Sequence, residues 1–167
     1  RVGRSAATFD YDKLDWMNGV YLRELAPAAY ADALLAYLRE QGIDWDEQRI
    51  RASVPLVQEK IAKLGEYPEF AGFLFHDVEP DPALLDRDVL TAAVETLTDV
   101  EPFTAGEIEA ALKELCERLG LKPRQAFAPI RVAVTGSKIS PGLYESLELL
   151  GRDESLRRLG AGGAAAA

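Results

Sequence analysis

TAGEIEAALKELCERLG, residues Thr104 to Gly120, decides the fold class of this chain. Ile108, Leu112, Leu115 and Leu119 recur at steps of three and four, which lays apolar side chains along one side of an α-helix. Thr104 and Glu107 form T-x-x-E, a capping box expected to satisfy the first free amides. Gly120 ends the run.

The same period extends in both directions. Upstream, Asp10 caps a helix that aligns Leu14, Met17, Tyr21 and Leu25. Pro27 opens a second, with Tyr30, Leu34 and Leu38 as its stripe and Gly42 as its stop. A third runs from about Asp46 to Leu64 and carries Ile50, Val54, Val57, Ile61 and Leu64. Pro55 inside it removes a hydrogen bond and is expected to bend or divide it. A short apolar segment, Phe70 to Phe75, precedes an acidic turn through Asp77, Pro80 and Pro82. Asp81 and Pro82 give a cap-then-proline start for a helix with Leu85, Val89, Ala93 and Leu97.

Downstream of Gly120, Val132 to Val134 is β-branched but short, and lies between Pro129 and Gly136. Ser140 and Pro141 start a helix holding Leu143, Leu147 and Leu150, stopped by Gly151. Another runs from about Arg152 to Leu159. Residues 160–167 are only glycine and alanine, expected to be a flexible tail with nothing to bury.

No strand-like alternation competes, so the expected class is all-α: a helical bundle or cage of two small sub-domains. The division falls near the acidic turn, giving residues 1–78, residues 79–159 and the tail. The expected core is Leu14, Tyr21, Leu34, Leu38, Val57, Ile61, Leu85, Val89, Leu112, Leu115, Leu147 and Leu150.

Composition narrows function mainly by exclusion. No run approaches the roughly 18 to 20 apolar residues of a membrane helix, and no basic-then-apolar leader opens the chain. The single cysteine, Cys116, has no internal disulfide partner, and with His76 it cannot assemble a metal cage. These features favour the cytoplasm. The chain opens on Arg1 and enters a structured-looking segment, which reads as part of a longer polypeptide.

The net charge of −9 argues against nucleic acid at long range. The charge is uneven, however. Fourteen acidic residues lie between Glu66 and Glu117, against only Arg87 and Lys113. From Arg118 to Tyr144 there is no Asp or Glu, while Arg118, Lys122, Arg124, Arg131 and Lys138 all occur. Two readings fit: a solubilising acidic middle beside a chance basic run, or an anion-facing surface on an acidic body.

Catalytic motifs are absent. There is no glycine-rich phosphate loop, nucleophile elbow or paired His and carboxylate. His76 reads as a surface histidine in a polar turn, and Cys116 as a small buried or half-buried thiol.

Two segments are more specific than any helix pattern. One is Phe9-Asp10-Tyr11-Asp12-Lys13-Leu14-Asp15-Trp16-Met17-Asn18. The other is Pro129-Ile130-Arg131-Val132-Ala133-Val134-Thr135-Gly136, continuing through Ser140-Pro141-Gly142-Leu143-Tyr144-Glu145 to Gly151. Together they resemble the carboxy-terminal half of bacterial glutamyl-tRNA synthetases, which carry F-D-x-x-K-L-x-W-x-N and P-I-R-x-A-x-T-G…S-P-G-L-[FY]-E. The similarity runs from Ser5 to Leu159. The family's ATP-handling signatures, of the H-I-G-H and K-M-S-K-S types, do not occur in this sequence.

The resemblance implies recognition of tRNA(Glu), with ATP and magnesium used by a catalytic domain outside these residues and no cofactor or metal of this segment's own. Residues 1–78 would face the anticodon stem and 79–159 the loop, in a monomer. The positions carried over are Lys13, Trp16, Gln58, Lys60, Arg124, Arg131, Ser140, Pro141 and Leu143. Lys13 and Trp16 lie three apart on one helix face, where a cation beside an indole suits a sugar–phosphate backbone and an unstacked base. The plainer alternative places Trp16 in the core and Lys13 in solvent. Arg131 brings a planar fork to phosphate or a base edge. Ser140 and Pro141 offer a helix start with free amides, or an ordinary cap, and Leu143 an apolar contact.

Lys60 aligns with an arginine that separates tRNA(Glu) from tRNA(Gln) in several family members, with Gln58 nearby. Lysine lacks the bidentate fork, so tRNA(Gln) stays open as a second partner. Ala128 stands where some relatives carry a polar residue. The rival readings are a helical protein-docking module, which the −9 charge suits, and a synthetase-like paralogue without charging activity.

Overall fold

Prolines and glycines partition this chain into its elements. The computed structural model describes the backbone of residues 11–166 and the side chains of residues 18–166. Among these, nine α-helices follow one another without a strand. They are α1 (Tyr11–Glu24), α2 (Pro27–Glu40), α3 (Glu47–Val57), α4 (Tyr67–Ala71), α5 (Arg87–Thr98), α6 (Ala105–Leu119), α7 (Pro123–Thr135), α8 (Leu143–Leu150) and α9 (Arg152–Ala165). The all-α class follows as expected. No helix among the described residues is long and apolar enough to cross a membrane.

Several boundaries obey the sequence rules. Pro27 occupies the first turn of α2, and Gly120 closes α6 at φ +64°. Others do not. The third helix ends at Val57, two residues past Pro55, rather than at Leu64. The proline ring crowds the carbonyl one turn back, and the chain leaves the helix there. Ile61 is nonetheless buried.

Asp81 caps only a short 3-10 turn, Pro82–Leu84, through the amide of Ala83. Leu85 is extended, and Asp86 caps α5, its carboxylate accepting from Val89 N at 3.0 Å. The capping box at Thr104 does not form. α8 packs against α6, so Glu148 reaches over and accepts from Ala105 N instead.

Two helical stretches were invisible in the sequence pattern. α7 packs against α5, α6, α8 and α9, and Ala126, Pro129, Ile130, Val132, Ala133 and Val134 are all buried. Pro129 inside it and the β-branched Val132 and Val134 argue locally against a helix. α9 continues through the expected tail to Ala165. Gly162 explains why: a Cβ there would stand 2.9 Å from the Ala133 Cβ. The bare backbone of α9 approaches α5 and α7 closely, and Arg87 donates to Ala166 O at 2.7 Å.

One buried cluster runs from Leu22 to Leu159, across residue 78 without a break. Of the expected core, Leu14 lies outside the described side chains, as does the Asp10 cap. Leu34, Leu38, Val57, Ile61, Val89, Leu112, Leu115, Leu147 and Leu150 are buried, and Leu85 packs at the margin. Tyr21 is a correction. It is 62% exposed, and the neighbouring Leu22 turns inward instead.

Candidate nucleic-acid interface

The acid-free stretch folds into α7, a loop and the start of α8. Arg124, Ala128 and Arg131 recur at steps of four and three, so they share the side of α7 that stays accessible. Gly136 ends the helix at φ +72°, where a Cβ would press against Val78. The loop that follows is internally tied. Thr135 Oγ1 donates to Arg131 O at 2.9 Å, and Ser137 Oγ accepts from Ile139 N at 3.1 Å. Lys138 is exposed and Ile139 is 77% exposed.

Arg131 organises this surface. Its Nη1 donates to Ser140 Oγ at 2.5 Å and to Pro141 O at 2.7 Å. Half-buried, it is shifted down from the usual guanidinium value by desolvation, with Tyr144 and Glu145 opposing that shift. An arginine pKa starts so high that the charge persists. Its hydrogen-bond partners among the described residues are neutral oxygens, which hold the fork without neutralising it.

Other cations divide: Arg49, Arg87 and Arg118 also donate to neutral oxygens. Arg39, Arg51, Lys113, Arg152, Arg157 and Arg158 each contact a carboxylate. Arg124, Arg131 and Lys138 form no ion pair among the described residues. A cluster of cations without carboxylate partners is what an anion-facing surface requires. Asp99, Glu101, Glu107, Glu114 and Glu117, with Lys113 among them, line an open groove of about 510 Å³ along α6.

The remaining expected site residues fall into distinct places. Lys13 and Trp16 lie on α1, but their side chains are outside the described residues. Lys60 is exposed just beyond α3. Gln58, expected as its reading partner, is only 8% exposed, and its amide donates to Leu22 O at 3.0 Å and Leu25 O at 2.8 Å. It satisfies the terminal carbonyls of α1 and has little left to offer a ligand. Ser140 does not cap α8, because Gly142 holds that position and Pro141 is buried before it. Leu143 is 3% exposed and faces the core, so in this conformation it supports the loop from beneath.

Two ring residues were not singled out from the sequence. Phe127 of α7 and Tyr144 of α8 meet edge to face, with centroids 5.8 Å apart and planes at 87°. The available signal was the interleaving of Phe127 between Arg124 and Arg131. His76 is exposed, as expected, with Nδ1 2.9 Å from Asp77 O. Cys116 is buried, and burial pushes its thiol pKa up.

A family model described as anticodon binding domain matches residues 25–162. The chain is 46% identical to a glutamate–tRNA ligase of Saccharopolyspora erythraea, over 95% of this chain and 35% of that protein. It is 45% identical to one from Acidothermus cellulolyticus, with the same coverage. It therefore spans about a third of the length of the curated relatives it matches. Among solved structures, a glutamate tRNA ligase from Elizabethkingia meningosepticum matches with a TM-score of 0.80 at 19% identity, over 93% of this chain and 32% of that one. At that identity the likeness is one of fold.

Proposed function

Because this chain belongs to the anticodon-binding domain family, we propose that it is the tRNA-recognising part of a glutamate–tRNA ligase. In this reading it holds the anticodon arm of tRNA(Glu) while a catalytic domain outside these residues joins glutamate to the tRNA with ATP and magnesium. It works in the cytoplasm as a monomer.

One observation carries the reading. Arg131 is fixed by Ser140 and Pro141 in a patch where Arg124 and Lys138 have no carboxylate partner among the described residues, on a body of net charge −9. Single-stranded RNA loops are recognised by cations on the backbone, forks on base edges and platforms for splayed bases. Arg124, Arg131, Lys138 and Ser140 supply the first two. Leu143 and Pro141 position them from below, and Lys13, Trp16 and Lys60 extend the contact toward the stem.

Lys60 also bears on specificity. It is exposed and carries charge without a bidentate fork, which suits a reader that accepts tRNA(Gln) alongside tRNA(Glu).

A low-salt titration against tRNA(Glu), tRNA(Gln) and an unrelated tRNA tests the proposal. Tighter binding of tRNA(Glu) than of the control supports it, and equal binding of tRNA(Glu) and tRNA(Gln) supports the relaxed reading. Equal, weak binding of all three would sink it and favour a protein-docking role.

A further inference from the structure

We infer that Arg49 and Arg158 are positioning residues, one on α3 and one on α9, that grip residues 74–78 and thereby fix the Lys60 turn relative to the Arg131 face of α7. The inference rests on the tRNA-recognition reading above, in which both surfaces meet one RNA.

Residues 74–78 carry the chain from the α2–α4 half into the α5–α9 half. Arg49 on α3 donates through Nη1 to Leu74 O at 2.6 Å. Two residues on, Arg158 of α9 donates through Nη2 to His76 O at 3.1 Å. Its Nη1 donates to Val134 O at 2.8 Å, among the last carbonyls of α7, which a helix cannot satisfy by itself. Arg157 pairs with Asp77. Val78 packs at the root of the Lys138 loop, where a Cβ on Gly136 would lie 3.2 Å from its own. Leu74, His76, Asp77 and Val78 are thus each tied to a helix or loop outside the segment.

The choice of residue matters. Arg158 is 6% exposed, and burying a charge costs desolvation that its partners at best offset. An apolar side chain of similar volume often serves stability as well. What the guanidinium adds is direction: apolar contact is indifferent to small rotations, whereas a hydrogen bond fades steeply once bent. Glu154 accepts from Arg158 Nε at 2.5 Å, which orients the planar fork toward the two backbone carbonyls. Lysine, a point donor on a flexible stem, cannot impose that geometry. An RNA arm that touches Lys60 and Arg131 together gains from their fixed spacing, because engaging one contact delivers the other already in place.

The test reads spacing and binding separately. Nitroxide labels on Glu59→Cys and Ala128→Cys, both at exposed positions, report the distance between the two surfaces without RNA, in a Cys116→Ala background. That background should give one narrow distance distribution. Arg158→Lys and, separately, Arg49→Lys should broaden it or add a second peak. In unlabelled protein, Arg158→Lys should bind tRNA(Glu) about tenfold more weakly. Lys60→Ala should cost the wild type several-fold in affinity but the Arg158→Lys protein less than about twofold, since a contact no longer in register has little left to lose.

A merely structural role predicts a lower unfolding midpoint with an unchanged distance distribution and an undiminished Lys60→Ala loss; either of the last two overturns the inference. Should Arg158→Lys not fold, Arg49→Lys decides it, because that variant leaves the α9 grip intact. Failure of the underlying reading looks different: wild-type protein would show no preference for tRNA(Glu) over an unrelated tRNA, while the distance result would stand.

Discussion

Arginine does two different jobs around the C-terminal half of α7. Past its C-terminal end, α9 contributes Arg157 and Arg158, and both find carboxylates. Arg157 pairs with Asp77 and Glu154, and Arg158 with Glu154 at 2.5 Å. Arg158 also donates to Val134 O and His76 O, joining α9 to α7 and to the segment before α5. On the accessible side of α7, Arg131 binds only a hydroxyl and a carbonyl. Carboxylate pairing cancels charge and makes a brace; neutral partners hold a guanidinium in place and leave its charge available. The partner decides the role.

That distinction can be broken by substitution. Arg131→Ala should weaken tRNA(Glu) binding by roughly 10- to 100-fold, the scale of losing charge-assisted hydrogen bonds. Its unfolding midpoint should stay near that of the wild type. Unchanged affinity with an intact fold would remove Arg131 from the interface.

Glu154→Gln is the complementary case. Hydrogen bonds from Arg157 hold the Glu154 carboxyl down to about 2, with Arg158 adding to the effect. A carboxyl lowered on folding stabilises the protein above its unfolded value of about 4.3, and that contribution is lost as pH falls from there toward about 2. Glu154 is partly exposed, so the contribution is discounted to about 1 kcal/mol at neutral pH. The variant should unfold more readily at pH 7, flatten the acid limb of a stability profile, and leave tRNA affinity alone. A steep acid limb in the variant would mean another carboxylate dominates there.

Lys138→Ala should reduce affinity a few-fold and lower the slope of log affinity against log salt by about one. A slope identical to wild type would mean that Lys138 meets no phosphate. The smallest effect is expected at Glu114→Lys, in the acidic groove: at most about a twofold change for tRNA(Glu), with a clearer gain for unrelated tRNA. An equal gain for both would mean the acidic face takes no part in discrimination.

Much of this was legible because amphipathic surface helices announce themselves. Ile108, Leu112 and Leu115 are all buried, and α6 starts and stops within a residue of its sequence signals. α7 was not legible, because Pro129 and the β-branched Val132 and Val134 argue locally against a helix. The neighbourhood of Arg131 was marked by the P-I-R and S-P-G-L segments. What they could not convey was that Ser140 and Pro141 bind Arg131 itself. Gln58 misled for a related reason: its partners lie 33 to 36 residues away, and no local pattern encodes that distance.

The contact at Gly162 has a practical reach. A run of glycine and alanine invites trimming when a domain is cut out for study, and Leu159 looks like a natural place to stop. Such a cut would unroof Leu90 and Ala133 and take from Arg87 its carbonyl partner. The packed structure therefore includes residue 166, and a protease probing for loose ends should pass over glycines that composition alone marks as easy targets.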